Sequence, residues 1–391
     1  MVTTVEQSDE VAAESSGYKL IDCDVHPVFP GEWTEDLGPY MPDEWRMRLQ
    51  GRVTAQPSKT KRELPSGRYT MPGNHFFPIP GGNLRLDLIH EDGLHPGADP
   101  KRSAEELLDQ FGVDLALVMP QGALALGMFP NPDVGAIVAA AHNAWLADVW
   151  LDADPRWRGA VYVAPQDPAQ AVAEIERWGD DSRFIAVFFS VNRALMGERQ
   201  FYPIYEAANH YGFPIVVHPT GAEGVFSTSP QAAGALPAQS LEFRQAFSSV
   251  YPMQVTSLIA NGVLDRFPTL KFGFFECGFA WLPDMMWRLD AYWKTSRQET
   301  PWVRRPPSEY ILEQVRFSTQ PFIEPRKREQ IEQMLEMIQA DKTLVFSSDY
   351  PHWDTDVPTE IVRDIPERMR ERIFVQNALD LFGSRIDDAR Q

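Results

Sequence analysis

"IDCDVHP", at residues 21–27, sets Asp22, Asp24 and His26 at steps of two, with Cys23 and Val25 between them. Alternate side chains of a strand share a face, so two carboxylates and an imidazole point the same way. A solvated edge carries charges, but it has no need of acid, acid and histidine aimed together. That face looks at water, at a partner or at a metal ion, and the rest of the chain must decide which.

Seven more short β-branched or aromatic runs follow: "VDLALVMP" (113–120), "GAVYVAP" (159–165), "RFIAVFFS" (183–190), "GFPIVVHP" (212–219), "LKFGFFEC" (270–277), "VRFSTQP" (315–321) and "KTLVFSSD" (342–349). With "YKLIDCDVH" (18–26) they make eight strand candidates. Several are almost wholly apolar, as a parallel strand buried on both faces requires. Amphipathic segments at 132–153, 168–178, 201–211, 240–265, 324–339 and 358–382 alternate with them. Asn131-Pro132 and Asp167-Pro168 read as helix starts, a capping side chain followed by proline in the first turn. Eight βα units in 391 residues predict an α/β fold, a TIM-type (β/α)8 barrel rather than an open doubly wound sheet. No GxGxxG or Walker loop follows any strand, so nucleotide folds lack their fingerprint.

Residues 1–17 read as a disordered tail and 18–391 as a single barrel domain. Within it, 50–100 is rich in Pro, Gly and Asn and has no period. An irregular insertion of that length after strand 1 is expected over the barrel mouth or against a second subunit. The formal charge of −19 argues against nucleic acid and anionic membranes as partners. Two cysteines, Cys23 and Cys277, are too few for a disulfide framework or a Cys-rich zinc site. The first seventeen residues lack a basic flank and an apolar run, and a cytoplasmic setting is the expectation.

The C-terminal tips of the strands hold the chemistry. Strand 1 ends in Asp24 and His26, strand 5 in His218, strand 6 in Glu276, and strand 8 in "SSDYPHWD", which carries Asp349 and His352. Ionisable groups in apolar strands need a partner or a metal, and barrel active sites lie at this end. Each residue has a structural alternative, a core histidine for His218 or a turn cap for Asp349; together they predict a metal centre. Asp22, one step deeper on the same face, reads as a buried hydrogen-bonding support. His75, His90 and His95 fall in the insertion, and His142 and His210 are expected on outer helix faces.

The chain resembles the amidohydrolase superfamily, in the branch of aminocarboxymuconate-semialdehyde decarboxylase and the resorcylate-type decarboxylases. The resemblance rests on "IDCDVHP", "FPIVVHPTG", "LDRFPTLKFGFFECGFAWLPDMMWRLD", "LVFSSDYPHWD" and "RIFVQNALDLFG", in that order. It implies metal ligands at Asp24, His26, His218 and Asp349, with Glu276 where the family carries a strand-6 histidine. The bridging carbamylated lysine of dinuclear members has no counterpart in "RFIAVFFSV". Glu276 then becomes a general base or a further ligand, and His352 a proton donor or second-site ligand; Asp349, Glu276 and His352 form the catalytic set. The carboxylate-rich donors favour manganese or iron over zinc, with one or two ions per chain.

The resulting reading is a metal-dependent hydrolase or non-oxidative decarboxylase acting on a small carboxylated or amide-bearing molecule. Two alternatives stand beside it: a non-haem iron oxygenase, with iron or iron and manganese, and a structural subunit of a hetero-oligomer. The resemblance implies at least a dimer, of one or two subunit types. Arg193 and Arg244 are candidates to pair with a substrate carboxylate.

Overall fold

The computed structural model describes residues 19–31, 33–49, 88–121, 124–129, 131–192, 194–219 and 240–388. The tail at 1–17, residues 50–87 of the insertion, His75 and Arg193 lie outside the described residues, and Arg244 is described only as part of a helix.

All eight strand candidates are strands: β1 (Ile21–Val25), β2 (Leu115–Val118), β3 (Trp157–Val163), β4 (Phe184–Phe189), β5 (Ile215–Val217), β6 (Phe272–Phe274), β7 (Val315–Ser318) and β8 (Leu344–Val345). They pair in sequence order, each parallel to the next. β8 returns to β1: Cys23 N–H donates to Phe346 O at 3.0 Å, and Val25 bridges Tyr350 in parallel register. The sheet is thus a TIM-type barrel with helices between its strands.

Apolar burial holds it together. Every residue of β1 to β8 is buried, and Trp150, Trp157, Tyr162, Phe184, Phe188, Phe272 and Phe274 are wholly enclosed. At about 1.5–3 kcal/mol for each large side chain, such burial dominates the favourable terms. Pro132–Leu151 is apolar enough by composition to cross a membrane, but 67% of that window is buried inside the protein, so its apolarity belongs to the core.

The helix starts behave as expected. Asn131 Oδ1 accepts from Asp133 N–H at 3.0 Å, and Asp167 Oδ1 from Gln170 N–H at 3.2 Å. The segment expected at 240–265 is two helices, Ser240–Ala260 and Val263–Arg266. The break falls at Gly262, whose φ of +74° suits glycine, and whose missing Cβ makes room for the Trp302 indole. The 358–382 segment is also divided, with Pro366 separating Pro358–Ile361 from the helical turns that begin at Glu367. Leu282–Ser296 is a further helix, outside the amphipathic segments named above. Its period shows in the burial of Leu282, Met285 and Met286, but the apolar run before it obscures where the pattern starts.

The last residues of the insertion lie against the strand tips. Val28 N–H donates to Gly97 O at 2.8 Å. A Cβ on Gly97 would meet Pro351 at 2.8 Å and the His26 carbonyl at 3.0 Å. This end of the insertion therefore sits over β1 and the turn after β8, at the C-terminal face.

Candidate metal centre

Each site residue ends a buried strand, and the backbone there turns it inward. β1 places Asp24 and His26 on one face, with Cys23 and Val25 packed on the other. Asp349 N–H donates to Asp24 O at 3.0 Å and His26 N–H to Tyr350 O at 2.8 Å, so the tips of β1 and β8 are held in register. Asp349 and Glu276 have φ of +61° and +50°, left-handed values that non-glycine residues avoid. Such strain persists where surrounding structure enforces it, and it collects at functional sites.

The ligand atoms of Asp24, His26, His218 and Asp349 all lie within 4.8 Å of one another, and all four residues are buried. His26 Nε2 is 3.1 Å from Asp24 Oδ1, 3.1 Å from Asp349 Oδ1 and 3.2 Å from His218 Nε2. His218 Nε2 is 3.4 Å from Asp24 Oδ2 and 3.3 Å from Glu276 Oε2. Glu276 and His352 border the four-residue group: His352 Nδ1 is 2.7 Å from Asp349 Oδ1, and its ring stacks on His26 at 4.7 Å.

The tautomers follow from the second nitrogens. His26 Nδ1 lies 3.2 Å from Pro120 O, and His218 Nδ1 2.7 Å from Pro219 O. A carbonyl only accepts, so both Nδ1 atoms carry hydrogen, and with both rings neutral the two Nε2 atoms turn lone pairs toward each other. A proton on one ring, or a cation shared by both, relieves that contact. Burial alone would push the His26 imidazole pKa down, but Asp24 and Asp349 outweigh it and hold it well above the ordinary histidine range. Burial likewise would raise Asp349, yet His352, His218 and His26 hold it well below the usual carboxylate range.

A proton on His26 Nε2 would face His218, Asp24 and Asp349 at 3.1–3.2 Å, and it is one hydrogen for three acceptors. Among the described residues no hydrogen-bond donor is aligned on either oxygen of Asp24 or on Asp349 Oδ2, although Asp24 Oδ1 lies 3.1 Å from His26 Nε2. A divalent cation draws on all of these lone pairs together, and imidazoles whose other nitrogen is tied to a carbonyl are the usual arrangement of metal ligands. The residues present therefore fit a metal ion.

A supporting layer holds the ligands. Asp22 Oδ1 accepts from Asp24 N–H at 3.2 Å and Ser348 N–H at 2.9 Å, bracing β1 against β8 as its place in the sequence suggests. Burial lifts its pKa to about 7 despite those donors. Ser318 Oγ accepts from Glu276 N–H at 2.8 Å and donates to Gln320 O at 2.8 Å, fixing the strained turn that carries Glu276. Gln121, just past β2, has Oε1 2.9 Å from His352 Nε2. Neither Ser318 nor Gln121 is foreseen from sequence, although both stand at strand tips.

The remaining histidines are elsewhere. His90 pairs with Glu106 at 3.3 Å, and His210 is exposed. His95 Nδ1 is buried without a partner among the described residues. His142 is a correction: it is not on an outer face but is 1% exposed, among the rings of Phe29, Trp145 and Tyr162. The neighbouring Asn143 clips its helix to β3, bonding both the N–H and the C=O of Tyr162 and so turning His142 inward.

Barrel and donor group together define the class, an eight-stranded α/β barrel with a candidate metal site at its C-terminal face. The amidohydrolase family model Amidohydro_2 matches residues 21–384, and the chain belongs to that family. Among solved structures it is similar to an amidohydrolase of Mycobacterium avium subsp. paratuberculosis K-10, at 21% identity and a TM-score of 0.67, covering 94% of this chain and 100% of that one. It is also similar to 5-carboxyvanillate decarboxylase of Novosphingobium aromaticivorans, seen with manganese and a nitrobenzoic acid (20%, TM-score 0.61, covering 94% and 97%). A third is dihydroxybenzoic acid decarboxylase of Polaromonas sp. JS666, with manganese and 2-nitroresorcinol (20%, TM-score 0.59, covering 94% and 97%). No curated protein matches the chain.

Proposed function

We propose that this chain is a metal-dependent carboxy-lyase that removes CO2 from a small aromatic or related acid without an external oxidant. One divalent ion would be held by Asp24, His26, His218 and Asp349. The observation that carries this reading is the pair of Nε2 atoms 3.2 Å apart, beside an Asp24 carboxylate with no aligned donor among the described residues. Manganese suits the oxygen-rich donors, and two similar folds are decarboxylases seen with it. Hydrolysis on the same residues is the companion reaction implied by the family.

The ion would polarise a substrate carboxylate or adjacent oxygen. Loss of CO2 breaks a carbon–carbon bond and leaves its electron pair on the substrate carbon, which then needs a proton. Glu276 and His352 border the ligand group on different sides and are the residues positioned to supply it. In hydrolysis the same Glu276 would take a proton from water. The cytoplasmic setting and the at least dimeric state belong to this reading as well.

A second reading is supported by Glu276 itself. Its Oε2, 3.3 Å from His218 Nε2, adds a third carboxylate beside the group, enough donors for a second ion and for iron-based oxygenation. Metal analysis and an assay separate the two. Metal-reconstituted protein with hydroxylated benzoic acids should release CO2 under nitrogen, holding one manganese per chain. Two irons and oxygen uptake would favour the second reading. Protein that takes up no metal would sink both and leave the structural-subunit alternative.

A further inference from the structure

His352 is held at both ends of its ring. Nδ1 lies 2.7 Å from Asp349 Oδ1, Nε2 lies 2.9 Å from Gln121 Oε1, and the ring stacks on His26 at 30° between planes. Gln121 follows β2 and His352 follows β8, the two strands that flank β1. The contact therefore reaches across the tip of β1 and joins residues 231 positions apart.

A free imidazole beside a divalent cation is a competent ligand, and His352 touches a ligand of the centre. It stays off the ion only if both nitrogens are otherwise engaged. Asp349, as a carboxylate, only accepts, so Nδ1 carries hydrogen and donates to it. Nε2 then needs a second partner. We propose that Gln121 is a positioning residue that clamps His352 by Nε2, so that the ring serves Asp349 and faces the substrate side without becoming a metal ligand. The inference rests on reading Asp24, His26, His218 and Asp349 as the metal centre.

An amide suits this task. Its oxygen accepts from an N–H, and turned over its NH2 donates to a lone pair, so one side chain holds the ring with or without a proton at Nε2. It does so without adding charge beside Asp24, Asp349 and Glu276. Asparagine, one methylene shorter, would not span the gap from the β2 tip.

Nitrogen NMR on 15N-histidine-labelled protein tests the clamp without any substrate. The chain has 8 histidines, and His352→Asn identifies the His352 signals. On zinc loading of the natural chain, the Nε2 signals of His26 and His218 should move to ligated positions while those of His352 stay. In Gln121→Ala and Gln121→Asn, the His352 signals should broaden or move to a ligated position. Gln121→Glu keeps the reach but only accepts, so it should hold His352 off the metal as the imidazolium, with both of its nitrogen signals at protonated positions. Ligated His352 in the natural chain, or unchanged His352 signals in Gln121→Ala, would overturn the proposal. If zinc moves no histidine signal at all, the metal reading itself fails. The metal-free spectra of natural chain and Gln121→Ala would then still decide the clamp: the same His352 signals in both refute it, and altered signals in the variant support it.

Discussion

His26 and His218 face each other through Nε2 at 3.2 Å, while each gives its Nδ1 hydrogen to the carbonyl of a neighbouring proline, Pro120 and Pro219. Two neutral imidazoles that close set lone pair against lone pair, a contact that a shared cation relieves, and the same point is bordered by Asp24 oxygens with no aligned donor among the described residues. Metal binding should therefore stabilise the fold by mass action. At a hundredfold excess over Kd the gain is about 2.7 kcal/mol. A thermal melt with and without manganese should show an upward shift of several degrees. His26→Ala and Asp349→Ala should each abolish that shift and most bound metal, with far-UV circular dichroism unchanged. Full metal content in both variants would show that these residues do not hold the ion.

The strand tips are legible in sequence because Asp24, His218, Glu276 and Asp349 each end a run that is otherwise apolar, and a charged group there demands a reason. Gln121 and Ser318 follow equally apolar runs, but an amide or hydroxyl after a strand is ordinary in any protein. What singles them out is a partner distant in sequence, His352 for one and Glu276 for the other, and that appears only when the barrel closes. His142 illustrates the reverse error. Polar residues on a helix suggest an exposed face, yet His142 and Asn143 are both buried because Asn143 bonds the backbone of β3.

Ser318 is expected to matter through Glu276. Ser318→Ala leaves the buried Glu276 N–H without its acceptor, at a residue already in the left-handed region. A loss of about 1–3 kcal/mol follows from an unsatisfied buried donor, readable as a lower urea midpoint. Ser318→Thr keeps the hydroxyl and should keep most of that stability. Equal midpoints for Ser318→Ala and the natural chain would mean that the hydroxyl does not hold the turn.

His142 should make the fold acid-sensitive. Burial pushes its pKa down from 6.5 to about 3, so the folded state keeps it neutral while the unfolded chain takes up a proton below pH 6.5. The unfolded state thus binds more protons across that window, and stability falls with falling pH by up to about 1.4 kcal/mol per unit. Neither ring nitrogen has a hydrogen-bond partner among the described residues, and the surroundings are aromatic. His142→Phe should therefore fold well at pH 7 and lose less stability between pH 6 and pH 4 than the natural chain. Parallel stability–pH curves for the two proteins would show that this imidazole does not titrate on unfolding.

Glu276 is the residue whose replacement separates the two proposed chemistries. Its carboxylate stands 3.3 Å from His218 Nε2, outside the four-residue group, on a turn held open by a φ of +50° and by Ser318. That position suits a proton carrier facing the substrate, and it would also suit a ligand to a second ion. Glu276→Gln keeps the shape and removes the charge. For a proton carrier, the variant should retain one metal per chain, keep the metal-induced thermal shift, and release CO2 about a hundredfold more slowly. For a second-ion ligand, the natural chain should hold two equivalents and the variant one. Elemental analysis beside the rate separates these outcomes. A variant with unchanged metal and unchanged rate would remove Glu276 from the mechanism and leave His352, through Asp349, as the proton source.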